Sequence, residues 1–543
     1  MTAKMIDTLL VGAEVVDGSG ASARRADLAV QTGRIAAIGS LGQVEARERI
    51  DCSSRVVAPG FVDPHAHSEL TLLANPLGES KLHQGVTTEL NGQCGLAPFP
   101  IRARDREAMR SVCTFIDAPV KWQWEQIDEY LDLLERARPA YNVATLVGQS
   151  ALRAWVMGFA NRTATRGEIG EMCALLADSL ARGAVGVSLG LAYPLGSFSG
   201  AEEPASLAAV CAERNALVTV HLRSEGPELM AALDEVLGMA SRTGCRLQIA
   251  HLKCVGRDHW GRAGEVLAKL ERAVAAGADV AYDVYPYTAG SRHLYGSLPD
   301  WVLDGGVGAM VERLKQPETR ARLRASLDQW ARGEGAAGGF SLDFPNTMVT
   351  SALTEANAWC VGKRLDEIAR ECGQDPLDAT LDLLIQEEGE VSCVLWAMSE
   401  EDVREFLRHP LGCLGTDGLA YAPYGPLSSG APHPRSYGTY PRFLGHYVRD
   451  ERLLPLPEAI RKCTSLPASR LRLPDRGLLR EGFWADIVVF DPAVIAERGD
   501  YGRPHVYPVG LDHVLVNGQI VVRDGETTGR RGGVVLRGPG AVA

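Results

Sequence analysis

Three absences narrow what this sequence of 543 residues can encode. It contains no run of 18 apolar residues, so a transmembrane helix is not expected. The first residues, Met1 to Asp7, lack the uninterrupted apolar stretch of a signal peptide. The 12 cysteines include no CxxC pair, which argues against a disulfide framework. Together these absences predict a cytoplasmic protein with reduced cysteines.

The chain also has no excess of basic over acidic residues. The chain has 56 Lys and Arg against 68 Asp and Glu, for a formal net charge of −12. Because no basic patch stands out, the charge balance argues against nucleic acid as the main partner. The hydrophobic share of 46% is ordinary for a globular protein. The length exceeds what one core usually organises, so at least two structural units are expected.

The order of strand-like and helix-like segments predicts the architecture. Residues 1–58 and 475–543 are rich in short strands, and we expect them to combine into one small β-sandwich. Residues 59–474 alternate strands with amphipathic helices in eight βα units, which is typical of an α/β TIM barrel. The gap between strands 7 and 8, roughly 290–410, predicts an insertion with helices near 365–372 and 375–387. The stretch Gly333–Gly339 predicts a flexible loop tip.

The most informative stretch of the barrel region is Pro59-Gly60-Phe61-Val62-Asp63-Pro64-His65-Ala66-His67. An apolar run leads into it and predicts a buried strand. Residues i and i+2 of a strand share a face, so the rings of His65 and His67 can point at one atom. Neutral imidazole is a common zinc ligand, although an HxH pair alone is as often a pair of surface histidines.

Other metal-ligand side chains follow other predicted strands. A lone histidine there is usually a hydrogen-bonded core group, and a lone cysteine is usually a small buried hydrophobe. Six such residues at one rim of a barrel are hard to explain by packing alone. The six are His65, His67, Cys94, His221, His251 and Asp417. Cys254 is a rival thiol but lies beyond its strand end, and Cys245 precedes its strand.

With these residues, the chain resembles the amidohydrolase superfamily, and in finer detail its D-aminoacylase branch, the N-acyl-D-amino-acid deacylases. The resemblance runs from about residue 7 to 525. It is carried by the six rim residues and by five further motifs. These are Gly85-Val86-Thr87-Thr88 leading to Asn91-Gly92-Gln93-Cys94-Gly95, Leu189-Gly190-Leu191-Ala192-Tyr193-Pro194, Ala250-His251-Leu252-Lys253, Asp283-Val284-Tyr285-Pro286-Tyr287 and His433-Pro434-Arg435-Ser436-Tyr437-Gly438-Thr439.

The resemblance also implies a metal site. Many relatives in the superfamily bridge two metals with a carboxylated lysine on strand 4, but this strand, Val185 to Gly190, has no lysine. Cys94 is the substitute that the D-aminoacylase branch implies. Cys94, His221 and His251 would then hold one zinc tightly and leave a position for water. His65, His67 and Asp417 could hold a second, weaker metal.

The implied activity is hydrolysis of the amide bond of an N-acyl-D-amino acid. A metal-bound hydroxide would attack the carbonyl, with Asp417 as general base and then general acid. The substrate is a small molecule whose α-carboxylate needs cations and hydroxyl donors. The candidates for substrate binding are Lys253, Arg435, Tyr193, Tyr287, Ser291 and Arg292. For Arg292 a surface charge is the favoured interpretation. The preference for D over L comes wholly from the resemblance.

Two other functions stay open at this point. A cyclic-amide hydrolase of the hydantoinase or dihydroorotase type fits the superfamily, but the missing strand-4 lysine counts against it. A metal-binding scaffold without catalysis fits the fold, but the presence of Asp417 beside all the proposed ligands counts against it.

Overall fold

Eight parallel strands form the predicted TIM barrel in the computed structural model. The structure describes residues 5–116, 118–193, 195–331 and 342–541; the predicted loop tip Gly333–Gly339 and Pro194 of one motif lie outside the described residues. The barrel strands, numbered 1 to 8 below, are Phe61–Asp63, Val86–Asn91, Asn142–Thr145 continued by Val147–Gly148, Gly186–Gly190, Leu217–His221, Arg246–Ile249, Val280–Val284 and Gly412–Leu414.

The barrel closes between strands 8 and 1. Strands 1 to 3 pair in order, and the second segment of strand 3 continues the series through strands 4, 5, 6, 7 and 8. Beyond the strand ends, Ala66 and Gly418 form a parallel bridge. The Asp417 backbone N–H donates to the His65 carbonyl at 2.8 Å, and the His67 N–H donates to the Gly418 carbonyl at 3.0 Å. The predicted fold class is therefore confirmed.

Helices cover the outside of the barrel between successive strands. Their apolar stripes pack on the strands; in Leu229–Thr243 the buried side chains include Leu229, Leu233, Val236 and Leu237. The longer barrel helices are Ile127–Ala137, Gln149–Met157, Arg166–Ala181, Glu202–Glu213, Leu229–Thr243, Ala263–Ala275, Glu400–Arg408, Arg435–Arg442, the π-helix Phe443–Asp450 and Leu456–Cys463. None of the described helices has the length and apolar character needed to cross a membrane.

The two ends of the chain meet in one nine-stranded sheet. Strand Val56–Pro59, which runs directly into barrel strand 1, pairs antiparallel with Ile487–Phe490. Successive side chains along these strands point to opposite faces of the sheet, so each strand contributes to two hydrophobic cores. Val57 and Val489 pack into a core on one face of the sheet. Val488 points to the other face and packs into the core shared with the barrel. The remaining strands are Ile6–Val15, Arg24–Gln31, Arg34–Gly39, Ala46–Asp51, Leu511–Val516, Gln519–Arg523 and Glu526–Thr527.

The last strand of the chain leaves this sheet. Val535–Leu536 pairs in parallel with Asn142–Thr145 of barrel strand 3. The C-terminal segment therefore contributes to both sheets, and the domain boundaries at 58 and 475 stay a prediction.

The insertion after strand 7 has its own hydrophobic core, which includes Leu294, Met310, Leu365 and Leu384. Helix Pro376–Gln386 begins where the sequence signals it, because Asp375 accepts the backbone N–H groups of Leu377 and Asp378 and proline occupies the first helical position. The insertion comprises the antiparallel strands Ala289–His293, Thr347–Ser351 and Ser392–Trp396 and the helices Gly306–Leu314, Pro317–Ala331, Leu365–Cys372 and Pro376–Gln386.

Candidate metal and amide-hydrolysis site

The turn after strand 2 carries Cys94 into the mouth of the barrel. Small residues of strand 4 make room for it: a Cβ on Gly190 would lie 2.1 Å from the Cys94 carbonyl oxygen. Ser188 on the same strand donates to the Gly92 carbonyl at 2.5 Å and accepts the Gly95 N–H at 3.0 Å. The turn that carries Cys94 therefore packs directly against strand 4, which has no lysine.

Cys94 meets two histidines from strand ends 5 and 6. Its Sγ lies 3.7 Å from His221 Nδ1 and 3.4 Å from His251 Nε2, and the two nitrogens are 2.7 Å apart. Ligands of one tetrahedral zinc lie about 3.6 Å apart for sulfur and nitrogen and about 3.3 Å for two nitrogens. The sulfur distances are close to these values and the nitrogen–nitrogen distance is shorter, and one thiolate with two imidazoles is a donor set that zinc favours. The residues therefore fit a zinc ion.

The electrostatics of Cys94 and His221 favour the protonation states that bind metal. Burial opposes ionisation of Cys94, but the charges of His251 and His65 and hydrogen bonds from His221 and His251 hold the pKa of its thiol well below the usual range. By contrast, burial raises the pKa of Cys254 to about 12. Burial also lowers the pKa of His221, which favours the neutral ring that binds metal. Cys94 is thus the thiolate of the site, and Cys254 is an ordinary buried thiol.

His65, His67 and Asp417 form a second group beside the first. Asp417 Oδ1 lies 3.3 Å from His65 Nε2 and 3.2 Å from His67 Nε2. His65 Nε2 is also 3.5 Å from Cys94 Sγ, so the two groups adjoin. Asp283 at the end of strand 7 contacts His65 Nδ1 at 2.9 Å and fixes the ring orientation. The donor set of nitrogen and carboxylate oxygen suits a second divalent metal.

Three of these residues have backbone conformations that non-glycine residues rarely adopt. The φ angles are +56° at Cys94, +33° at His251 and +48° at Asp417. Such left-handed conformations cost free energy and persist where the surrounding structure enforces them. Each of the three lies two or three residues beyond the end of a barrel strand.

Asp417 is an ionised, buried carboxylate. Burial opposes its charge, but Arg435, His251 and His65 hold its pKa well below the usual range. Arg435 lies 2.7 Å from Asp417 Oδ2. The carboxylate is therefore in the form that can accept a proton, and its second oxygen faces the histidines.

Two cations converge on one aromatic ring next to Asp417. The Tyr285 ring lies 5.7 Å from Lys253 Nζ and 4.9 Å from the Arg435 guanidinium carbon. Lys253 also contacts His251 Nδ1 at 2.7 Å and Glu225 at 2.5 Å. Two buried cations within 6 Å of one ring, with one acidic partner each, form a site where a substrate carboxylate can bind.

The other predicted substrate residues have different neighbours. The Tyr193 ring is 4.4 Å from the His221 ring. Ser291 and Arg292 are half-buried on the insertion strand Ala289–His293, and the charge of Arg292 counteracts the rise that burial causes in the Tyr193 pKa. The Tyr287 hydroxyl donates to Glu497 at 2.9 Å, and its ring packs against His433 instead of the two cations.

Sequence reasoning missed three side chains that contact the candidate residues. Tyr285 is the ring beside Lys253 and Arg435, and the substrate-binding role of Tyr287 stays a prediction. Glu225 contacts His251 Nδ1 at 3.0 Å and Lys253, and Asp283 contacts His65. An acidic residue at or just after the end of a barrel strand is the signal that could have found Glu225 and Asp283.

Comparison with known proteins agrees with this geometry. A profile described as "Amidohydrolase family" matches residues 48–522. The chain is 36% identical to an N-acyl-D-glutamate deacylase of Alcaligenes xylosoxydans xylosoxydans, over 98% of this chain and 97% of the relative. It is 34% identical to a D-aminoacylase and 33% to an N-acyl-D-aspartate deacylase of the same organism, over 98% of this chain and 97% and 95% of the relatives.

Solved structures extend the comparison. An N-acyl-D-glutamate deacylase from Bordetella bronchiseptica, complexed with zinc and a phosphonate mimic of the tetrahedral intermediate, aligns with a TM-score of 0.81 at 34% identity, covering 98% of this chain and 100% of that one. A D-aminoacylase described as having a binuclear metal center aligns at 0.80 with the same identity and coverage. A D-hydantoinase at 15% identity and a TM-score of 0.54 shares the fold. The thiolate-containing site, the barrel and the near full-length matches together show that this chain belongs to the amidohydrolase family, within its D-aminoacylase branch.

Proposed function

We propose that the protein hydrolyses the amide bond of N-acyl-D-amino acids and releases a carboxylate and a free D-amino acid. The observation that carries the proposal is the placement of Asp417 between the metal-ligand cluster and the cations Lys253 and Arg435. The names of the full-length relatives, deacylases of N-acyl-D-glutamate and N-acyl-D-aspartate and a D-aminoacylase, support the choice of substrate class.

We propose Cys94, His221 and His251 as the ligands of one tightly held zinc, and His65, His67 and Asp417 as those of a second, weaker metal. A zinc ion there supplies Lewis-acid polarisation of a carbonyl and acidifies water. The description of the binuclear center in the related D-aminoacylase, "one-metal activation and second-metal attenuation", supports the unequal roles. The cytoplasmic location stays a prediction.

Asp417 moves the proton in the proposed reaction. Its carboxylate accepts a proton from the attacking water and returns it to the amine nitrogen as the C–N bond breaks. An amine that leaves without this proton is a very poor leaving group. Burial of Asp417 at 7% exposure keeps bulk water away from the proton transfer.

Lys253 and Arg435 bind and orient the substrate through its α-carboxylate. A guanidinium binds a carboxylate through two parallel hydrogen bonds, and the ammonium adds a third donor. Because Arg435 also contacts Asp417, the bound carboxylate lies within reach of the group that transfers the proton. The Tyr193 hydroxyl, beside His221, is a further donor at the same mouth.

A substrate panel tests the proposed function. With zinc, the protein is expected to release amine from N-acetyl-D-amino acids, with D-glutamate, D-aspartate and an apolar residue all included, and at least about 100-fold more slowly from the L-enantiomers. Amine release and zinc content are measured on the same preparation. Cleavage of hydantoin would instead favour the cyclic-amide reaction, and zinc binding without turnover of any amide would favour a scaffold.

Removing either cation should weaken substrate binding. Lys253→Ala and Arg435→Ala are each expected to raise KM by about 10- to 100-fold with zinc retained, because each removes a charge-assisted hydrogen bond. Arg442→Ala is the matched control: its guanidinium lies 4.9 Å from the Tyr287 ring but pairs with Glu497. An unchanged KM in both site variants would contradict the carboxylate site.

A further inference from the structure

A buried ion pair lies at the seam where the barrel closes. Lys81 and Asp63 are both 0% exposed, and Lys81 Nζ lies 2.7 Å from Asp63 Oδ2. The same ammonium donates to Thr416 Oγ1 at 2.6 Å and to the Gly418 carbonyl at 3.1 Å. Taking two charges out of water is expensive, and here hydrogen bonds to Thr416 and Gly418 offset part of that cost.

Asp63 connects the two sides of the seam. It accepts the backbone N–H of Thr416 at 3.0 Å and the Thr416 hydroxyl at 2.6 Å from one side, and the backbone N–H of His65 at 3.2 Å from the other. Among the described residues, strands 1 and 8 share the single bridge between Ala66 and Gly418. Two backbone hydrogen bonds flank this bridge, and the side chains of Asp63, Thr416 and Lys81 add further hydrogen bonds across the seam.

The residues on the two sides of this seam are the ones whose spacing the chemistry needs. Asp63 ends strand 1, and His65 and His67 follow it in the chain within four residues. Asp417 lies between Thr416 and Gly418, both of which Lys81 holds. A shift of this turn would move Asp417 relative to His67, whose Nε2 is 3.2 Å from Oδ1.

We propose that Lys81 and Asp63 are positioning residues that hold the Thr416–Gly418 turn against the end of strand 1 and so set the spacing of Asp417 from His65 and His67. Neither side chain contacts the proposed Cys94, His221 and His251 zinc site, so the pair acts on the proton-transferring side. The inference rests on the proposed role of Asp417 as general base.

Lys81→Met tests the ion pair, because it removes the ammonium charge and keeps a side chain of similar length. The expected result is a fall in kcat of about 100-fold with KM within about two-fold, because a misplacement of about 1 Å suffices for that loss. One zinc per chain should be retained. The matched control is Lys462→Met: Lys462 is 1% exposed and donates to the carbonyls of His409 and Gly412 at the opposite end of strand 8.

A merely structural role predicts another pattern. Both lysine variants should then lower the melting temperature, and their kcat values per folded chain should be similar to each other. A kcat within about three-fold of wild type in Lys81→Met, or an equal loss in Lys462→Met, would overturn the proposal.

Thr416 supplies a milder pair of variants in case Lys81→Met does not fold. Thr416→Val keeps the shape and removes the hydroxyl, and Thr416→Ser keeps the hydroxyl. We expect about a ten-fold lower kcat for valine and near wild-type kcat for serine.

Crystal structures of wild type and Thr416→Val add a readout that needs no turnover: the distance from His67 Nε2 to Asp417 Oδ1 should lengthen in the variant. An unchanged distance overturns the positioning role, whereas a wild-type protein that cleaves no amide overturns the proposed function alone.

Discussion

Replacing Asp417 with asparagine is expected to lower kcat on an N-acyl-D-amino acid by about 1,000-fold or more, with the fold and the tight zinc retained. Asparagine has the same shape as aspartate, and its amide oxygen can still accept hydrogen bonds. It cannot take a proton from water and deliver it to the departing amine. The loss should therefore appear in kcat and much less in KM.

The measurement compares kcat, KM and zinc content of Asp417→Asn with those of wild type. Asp402→Asn is the matched control, because Asp402 is also buried, at 2% exposure, and accepts backbone N–H groups from Gly261 and Ala263 outside the site. We expect its kcat to stay within about three-fold of wild type. Normal turnover by Asp417→Asn would exclude this carboxylate as the proton carrier and direct attention to another base.

Replacing Cys94 with alanine is expected to remove the tightly held zinc and to reduce turnover to about 1% or less. Its thiolate lies within 3.7 Å of His221 and 3.4 Å of His251, and without it two imidazoles alone face the ion. The second group, His65, His67 and Asp417, stays intact in this variant. The experiment thus separates the two proposed metal positions.

Zinc content after dialysis and kcat at increasing added zinc are the two readouts. Cys254→Ala is the matched control, since Cys254 is equally buried and three residues beyond His251 but has a pKa raised to about 12 by burial. It should keep both zinc and activity. If Cys94→Ala retained full activity, the essential metal would have to lie at His65, His67 and Asp417.

Much of the fold follows from local signals. Alternation and apolar runs predicted all eight barrel strands, and helix Leu365–Cys372 lies where the sequence places it. The capping residues Asp375 and Pro376 explain the start of the next helix without reference to the rest of the molecule. These signals depend on residues close in sequence, which is why they can be interpreted without the tertiary structure.

For the candidate site, the sequence predicted some features and the structure supplied others. The rim position of the six ligand-type residues followed from their places after strands, and the resemblance assigned their roles. Tyr285 and Tyr287 could not be told apart, because the chain turns after Val284 and the rule of alternating faces no longer applies. Glu225 was visible in its motif but gained a role only through its contacts with His251 and Lys253.

The sequence by itself determined the HxH pair at the end of the first barrel strand and the βα order, and the resemblance implied that Cys94 takes the place of a strand-4 lysine. Only the tertiary structure decided that the Cys94 turn fits against Gly190 and that Lys81 meets Thr416, 335 positions away in the chain. The physical reason is that periodicity and capping specify which way a side chain faces, whereas the partner across a barrel depends on how distant segments pack.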